Sequence, residues 1–326
     1  MLGGWLALLA AATFAFSNVS ARRAVIDGSV LQGIFVTVPI GLIFSLMVTL
    51  ISGLGGLLSR FTLLQVLFLA AAGIFHFAMA RYCAYRSIQA LGSNLAGPVQ
   101  YLNLPVSLAL ALWLLDEYLN PLHAFGVVLV IFGPIIMLSR QAISRLSAST
   151  KTFKPRFFEG YVFAVLSAIG YGVSPILVRV ALEGANMGTA IAGGVFSYVA
   201  ATIVLLPILV NPSARRTIFY IRNDPAKWFV ISGLFTGVSQ MIRYMALALA
   251  PVTIVSSIMV SSLVFRFLFS RILNRDYEIF GIWVVIGIMI TVVGSLALTL
   301  ETAYVFSLLP EWDWLQGSEK WRWPAA

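Results

Sequence analysis

The chain has 326 residues, of which 60% are hydrophobic and 10% charged. A soluble domain is roughly half apolar and about a quarter charged, so this composition excludes a soluble enzyme, a disordered chain and a fibrous protein. The net charge of +9 comes from basic residues scattered between long apolar runs rather than gathered in a basic domain, so no nucleic-acid partner is expected.

A helix needs about 20 apolar residues to cross the hydrocarbon core of a bilayer. Runs bounded by charge, glycine or proline predict ten such spans: 4–21, 31–51, 63–88, 95–115 and 122–138, then 160–182, 189–210, 228–249, 252–272 and 279–300. The first lacks a preceding basic stretch and is followed by Arg22 and Arg23, which reads as a retained helix and not a secretory signal. Period-two alternation is missing from all ten, which argues against a transmembrane barrel. The expected organisation is a first five-span unit (4–139), a basic loop (140–157), a second five-span unit (158–300) and a tail (301–326). Trp312, Trp314, Trp321 and Trp323 in that tail suit the membrane interface. The single cysteine, Cys83, allows neither an intrachain disulfide nor a cysteine-based zinc site, and neither a metal nor a cofactor is expected.

The two units resemble each other. Met79-Ala80-Arg81-Tyr82-Cys83-Ala84 answers Met241-Ile242-Arg243-Tyr244-Met245-Ala246, and Glu117, Gly126 and Gly133 keep the spacing of Glu278, Gly287 and Gly294. Arg22 with Ala24 likewise mirrors Arg179 with Ala181. Five spans is an odd number, so the two units must lie in opposite orientations, and inverted repeats with a site at their interface are a transporter architecture.

On these residues, and on the stretch from Leu104-Pro105 through Leu115-Asp116-Glu117 to Gly126 and Gly133, the sequence resembles the drug/metabolite transporter superfamily, specifically proteins built of two EamA domains. The resemblance covers about 4–138 and 160–300, and it departs from the repeat where Arg266 stands at the position of Pro105. It implies an all-α, ten-helix basket of two inverted five-helix repeats, with a central cavity lined mainly by spans 1, 3, 4, 6, 8 and 9.

The polar residues independently favour the same spans. Span 4 carries Gln100, Asn103 and Ser107 on one helical face, and span 8 carries Thr236, Gln240 and Arg243. Ser262, Arg266 and Ser270 form the stripe of span 9; Ser167, Tyr171 and Ser174 that of span 6; and Thr13, Ser17 and Ser20 that of span 1. Hydroxyls alone often bond to their own helix or glue helices together. Glutamine, asparagine and arginine are costlier to bury, and a charge near the bilayer centre costs at least about 2.5–3.5 kcal/mol. Candidate substrate-binding residues are therefore Arg243, Arg266, Gln240, Gln100, Asn103, Tyr171, Ser17 and Ser174, with Arg81 as a secondary anion contact. His76, whose ordinary pKa lies near physiological pH, is the candidate for proton coupling.

No Asp or Glu falls in the central portion of any span; Asp27, Asp116, Glu117, Glu183, Asp276, Glu278 and Glu301 lie at or beyond span ends. The four-helix multidrug exporters of the superfamily rely on a buried carboxylate, which this pattern lacks. An anionic or zwitterionic substrate fits arginines better than a cation does. The loops after spans 1, 3, 5, 7 and 9 hold Arg22, Arg23, Arg86, Arg140, Arg145, Arg215, Arg271 and further basic residues, whereas the other side has Arg60, Arg179, Lys320 and Arg322. The positive-inside rule thus places both termini outside the cytoplasm, against the usual family drawing.

The expected function is a multipass carrier in a cell (inner) membrane, moving a small organic metabolite by alternating access without ATP; no nucleotide-binding loop is present. Its expected partners are the lipid bilayer and the small-molecule substrate, and a homodimer is compatible with the sequence. The rival readings are a lipid-carrier flippase of the same superfamily, a non-transporting subunit, and a membrane-embedded lipid transferase. The last would need clustered carboxylates or histidines, and the only histidines, His76 and His123, lie on different spans.

Overall fold

The computed structural model describes residues 2–114, 121–137 and 154–297. Asp116 and Glu117, most of the basic loop and the tryptophan-bearing tail lie outside the described residues. Among the described residues the chain is all-helical, without a strand. In chain order the helices are α1 (Leu2–Asp27), α2 (Val30–Ile51), α3 (Leu63–Gly73), a π-helical segment (Ile74–Ala80), α4 (Arg81–Leu91), α5 (Ser93–Gln100), α6 (Asn103–Leu114) and α7 (Pro121–Met137). After them come α8 (Phe157–Ala181), α9 (Met187–Leu205), α10 (Pro212–Phe219), α11 (Asn223–Leu249), α12 (Val252–Met259), α13 (Ser262–Leu273) and α14 (Ile282–Ala297).

Among the described residues each apolar run of the sequence falls mainly on helix. Six helical stretches, Leu2–Asp27, Val30–Ile51, Leu63–Leu91, Ser93–Leu114, Phe157–Ala181 and Met187–Val210, are long and apolar enough to cross a membrane. The starts are specified locally. Ser29 and Gln32 form a reciprocal capping box on α2, and Thr62 and Gln65 do the same on α3.

The runs 95–115 and 252–272, expected as single helices, are each broken in the middle. Pro105 has no N–H to donate to the Tyr101 carbonyl one turn earlier, so that carbonyl accepts from Leu104 N–H at 3.0 Å and the chain kinks at Tyr101–Leu102. Between α12 and α13, Ser261 N–H bonds to Ile258 O at 3.0 Å and Leu263 N–H to Val260 O at 2.9 Å, the same tightened pattern without a proline.

Polarity is arranged inside out. Exposed side chains include Ile51, Leu63, Trp113, Val210 and Ile272, while Arg22, Arg81, Arg266, Gln100, Gln240 and His76 are buried. A lipid-facing exterior demands this. Without a hydrophobic force between helices in lipid, packing depends on close backbone approach at small residues. The α7–α14 pair shows it reciprocally. A Cβ on Gly133 would lie 2.8 Å from Gly287 O, and one on Gly294 would lie 2.8 Å from Gly126 O. The α1–α11 pair adds polar glue, with Ser17 Oγ donating to Ser232 O at 2.8 Å and lying 2.5 Å from Thr236 Oγ1.

Candidate functional site

The two helix breaks face each other. The Tyr101 hydroxyl, at the first, donates to Met259 O at 2.8 Å and is also hydrogen-bonded to Ser262 Oγ, both at the second. Non-helical backbone at membrane depth is tolerated only where protein buries it or where it lines a cavity. Here both hold. A cavity of about 40 Å³ lies beside the breaks, lined by Gln100, Tyr101 and Asn103 on one side and Val255, Ser256, Met259 and Arg266 on the other. Helix α11 adds Gln240, Arg243 and Leu247, α8 adds Tyr171 and Pro175, and α1 adds Phe14. His76 completes the lining from the π-helical segment, a local widening of the helix that is common at functional sites.

Seven of the residues singled out from the sequence therefore share one cavity: His76, Gln100, Asn103, Tyr171, Gln240, Arg243 and Arg266. Three others lie away from it. Ser17 is spent on the α1–α11 interface, because its face of α1 meets Ser232 and Thr236 and not the cavity. Ser174 is buried outside the lining. Arg81 is 2% exposed and stands 5.1 Å above the Phe77 ring, next to Tyr198. Tyr101 and the apolar wall of Leu247, Val255 and Met259 carry no sequence signal that distinguishes them from packing residues.

The polar groups are held in a definite order. Arg243 Nε donates to Gln240 Oε1 at 2.8 Å, and its Nη2 lies 3.5 Å from His76 Nδ1. A guanidinium can only donate, so Nδ1 accepts and the ring proton sits on Nε2, which has no partner. Arg266 Nη1 donates to Gln100 Oε1 at 3.1 Å, while its Nε is unpartnered. Gln100 is itself fixed by its Nε2 donating to Ser87 Oγ at 2.9 Å. Asn103 Oδ1 is a further buried atom without a partner. With Arg243 at 6% and Arg266 at 1% exposure, two guanidinium groups are buried at a cavity that no Asp or Glu lines among the described residues.

The carboxylate missing from the cavity is found a short way beyond it. Glu278, read from sequence as a peripheral residue at a span end, is buried and caps the N-terminus of α5. Its Oε1 accepts from Ser93 N and Ser93 Oγ, both at 2.6 Å, and Oε2 accepts from Asn94 N at 3.0 Å. Arg22 Nε lies 3.6 Å from Oε1, and Arg22 also donates to Ile88 O at 3.0 Å and Tyr277 O at 2.7 Å. Gly92, at φ +84°, allows the approach, since a Cβ there would meet Glu278 Oε2 at 2.8 Å. Ser93 joins the two polar centres, because its carbonyl accepts a long 3.5 Å contact from Arg266.

Residues 1–139 match the EamA-like transporter family. No curated protein matches the chain. A solved structure described as "Crystal structure of protein" is similar over 91% of this chain and 95% of its own, at 18% identity and a TM-score of 0.63, a likeness that shows the fold alone. The family match covers 139 of the 326 residues, and six helical stretches of the chain are long and apolar enough to cross a membrane, which makes it a multipass helical membrane protein by composition.

Proposed function

We propose that the protein is a secondary carrier that moves a small organic anion by alternating access through the cavity between the two helix breaks. The observation that carries this reading is the pair Arg243 and Arg266, both buried at one cavity and neither facing a carboxylate there. Burying charge without compensation is costly, and a membrane protein retains such charges chiefly where they serve a pathway or a ligand. Discontinuous helices meeting beside the cavity support the same reading, since transporters build midplane sites in this way.

The reading takes the chain as ten spans in two inverted five-span repeats. Reciprocal contacts support it. Arg22 of α1 donates to Ile88 O in the last turn of α4, and Arg179 of α8 donates to Leu247 O in the last turn of α11 at 2.9 Å. The glycines of α7 and α14 answer each other in the same way. At about 40 Å³ the cavity has room for a few waters and not for an organic substrate, so it must widen to admit one. Opening would rock one repeat against the other, with the basic loops on the cytoplasmic side.

Counterflow in proteoliposomes tests the proposal. Vesicles preloaded with an unlabelled organic acid should accumulate the labelled acid without ATP, and vesicles preloaded with an organic cation should not accumulate labelled cation. Accumulation of cations alone would refute the assignment.

A further inference from the structure

We propose that the substrate is a doubly charged organic acid, with one acidic group at Arg243 and the other at Arg266. This rests on the anion-carrier reading and specifies it. The two guanidinium groups come from different helices, α11 and α13, and each is anchored by a neutral amide oxygen, Gln240 Oε1 in one case and Gln100 Oε1 in the other. An amide oxygen orients a guanidinium but does not neutralise it. Donors are left over on the same cavity: Arg266 Nε and His76 Nε2 are buried without partners. These are the groups that carboxylate or phosphate oxygens engage.

Within the cavity lining the charge excess is these two guanidinium groups; a third buried one, Arg81, lies outside the lining over the Phe77 ring. At the nearby end of the bundle, Arg22 is paired with Glu278, and Arg86 and Arg156 share Glu159 at 2.6 and 3.0 Å. Glu278 is committed to Ser93, Asn94 and Arg22; its charge reaches Arg266 only through space and forms no ion pair with it. A monoanion would balance one of the two arginines and leave the other uncompensated in a nearly dry site; a dianion balances both. Discrimination then follows from the unpaired charge that the wrong ligand leaves behind. Leu247, Val255 and Met259 supply an apolar wall for the carbon skeleton between the acidic ends.

Binding to the purified full-length protein, followed by calorimetry at low salt and at a pH where both acidic groups ionise, tests the proposal. The probes are succinate, its singly charged monoamide succinamate, the neutral diamide succinamide, and glycerol phosphate. At least one dianion should bind about tenfold or more tighter than succinamate. Succinate and glycerol phosphate distinguish a dicarboxylate from a phosphate ester as the source of the second charge. In Arg243→Gln and Arg266→Gln the dianion should fall to the affinity of succinamate, while Arg243→Lys and Arg266→Lys should keep a reduced preference. If the Gln variants do not fold, the wild-type comparison and the Lys variants decide. Equal affinity for succinamate and both dianions, or no binding of either dianion, overturns the proposal. In the first case the anion-carrier reading stands; binding of succinamide or of cations alone would bring down both.

Discussion

Glu278 accepts the backbone N–H of Ser93 at 2.6 Å across 185 residues of sequence, tying the start of α5 to the connection before α14. The carboxylate satisfies two orphan donors at a helix N-terminus, adds a favourable charge there, and meets Arg22 in a fully buried ion pair. Ser93 also touches Arg266, so this tie reaches a residue that lines the cavity.

Glu278→Gln keeps the volume and part of the capping but removes the charge opposite buried Arg22. It should destabilise the protein by about 3 kcal/mol, the scale for breaking a buried pair. Denaturant unfolding of the purified protein checks this; a variant as stable as wild type would show that the tie is dispensable.

Gly133→Ala and Gly294→Ala should each cost about 1–3 kcal/mol, because the new Cβ would press on the facing backbone carbonyl 2.8 Å away and neither helix can yield without repacking. Gly56→Ala has open space around it and should change stability little. The same unfolding measurement compares all three.

Much of the site was legible because polar side chains inside apolar runs are expensive and hence informative. Gln100, Asn103, Gln240, Arg243 and Arg266 stood out on that ground, and the structure brings them to one cavity. Of the α11 stripe, Gln240 and Arg243 line the cavity while Thr236 turns to Ser17 of α1, whose face meets Ser232 and Thr236. Pro105 hints at the first helix break, whereas nothing in Val260-Ser261 marks the second. The sequence puts Glu278 at the end of an apolar run, which does not reveal what covers it; Arg22 and the start of α5 do so only after folding. Nothing in the sequence singles out Tyr101, since its hydrogen bond is to a carbonyl 158 residues away.

The charge distribution predicts which loops are cytoplasmic. In a Cys83→Ala background, Ser213→Cys lies on the basic side and Ser59→Cys on the other, and both positions are exposed. An impermeant thiol reagent applied to intact cells should label the Ser59 position and spare the Ser213 position. The opposite pattern would restore termini facing the cytoplasm.

Among the described residues His76 is the one imidazole lining the cavity, and it faces Arg243 at 3.5 Å with Tyr171 and Arg81 near it. His76→Gln can still offer Arg243 an acceptor through its Oε1 but cannot carry the proton. Transport by this variant should lose its pH dependence while affinity for an anion changes by less than about threefold. An unchanged pH profile would assign His76 a purely structural role.

The most direct test of an anion pathway between the helix breaks is transport by Arg243→Gln and Arg266→Gln, reconstituted at equal folded yield and assayed by counterflow with an organic acid that the wild type carries. Each variant should lose at least about 30-fold in uptake at limiting substrate, the lower end of the cost of truncating one side of a buried charge pair, with folded yield unchanged or higher. Wild-type uptake by both variants would contradict the account and place the substrate elsewhere.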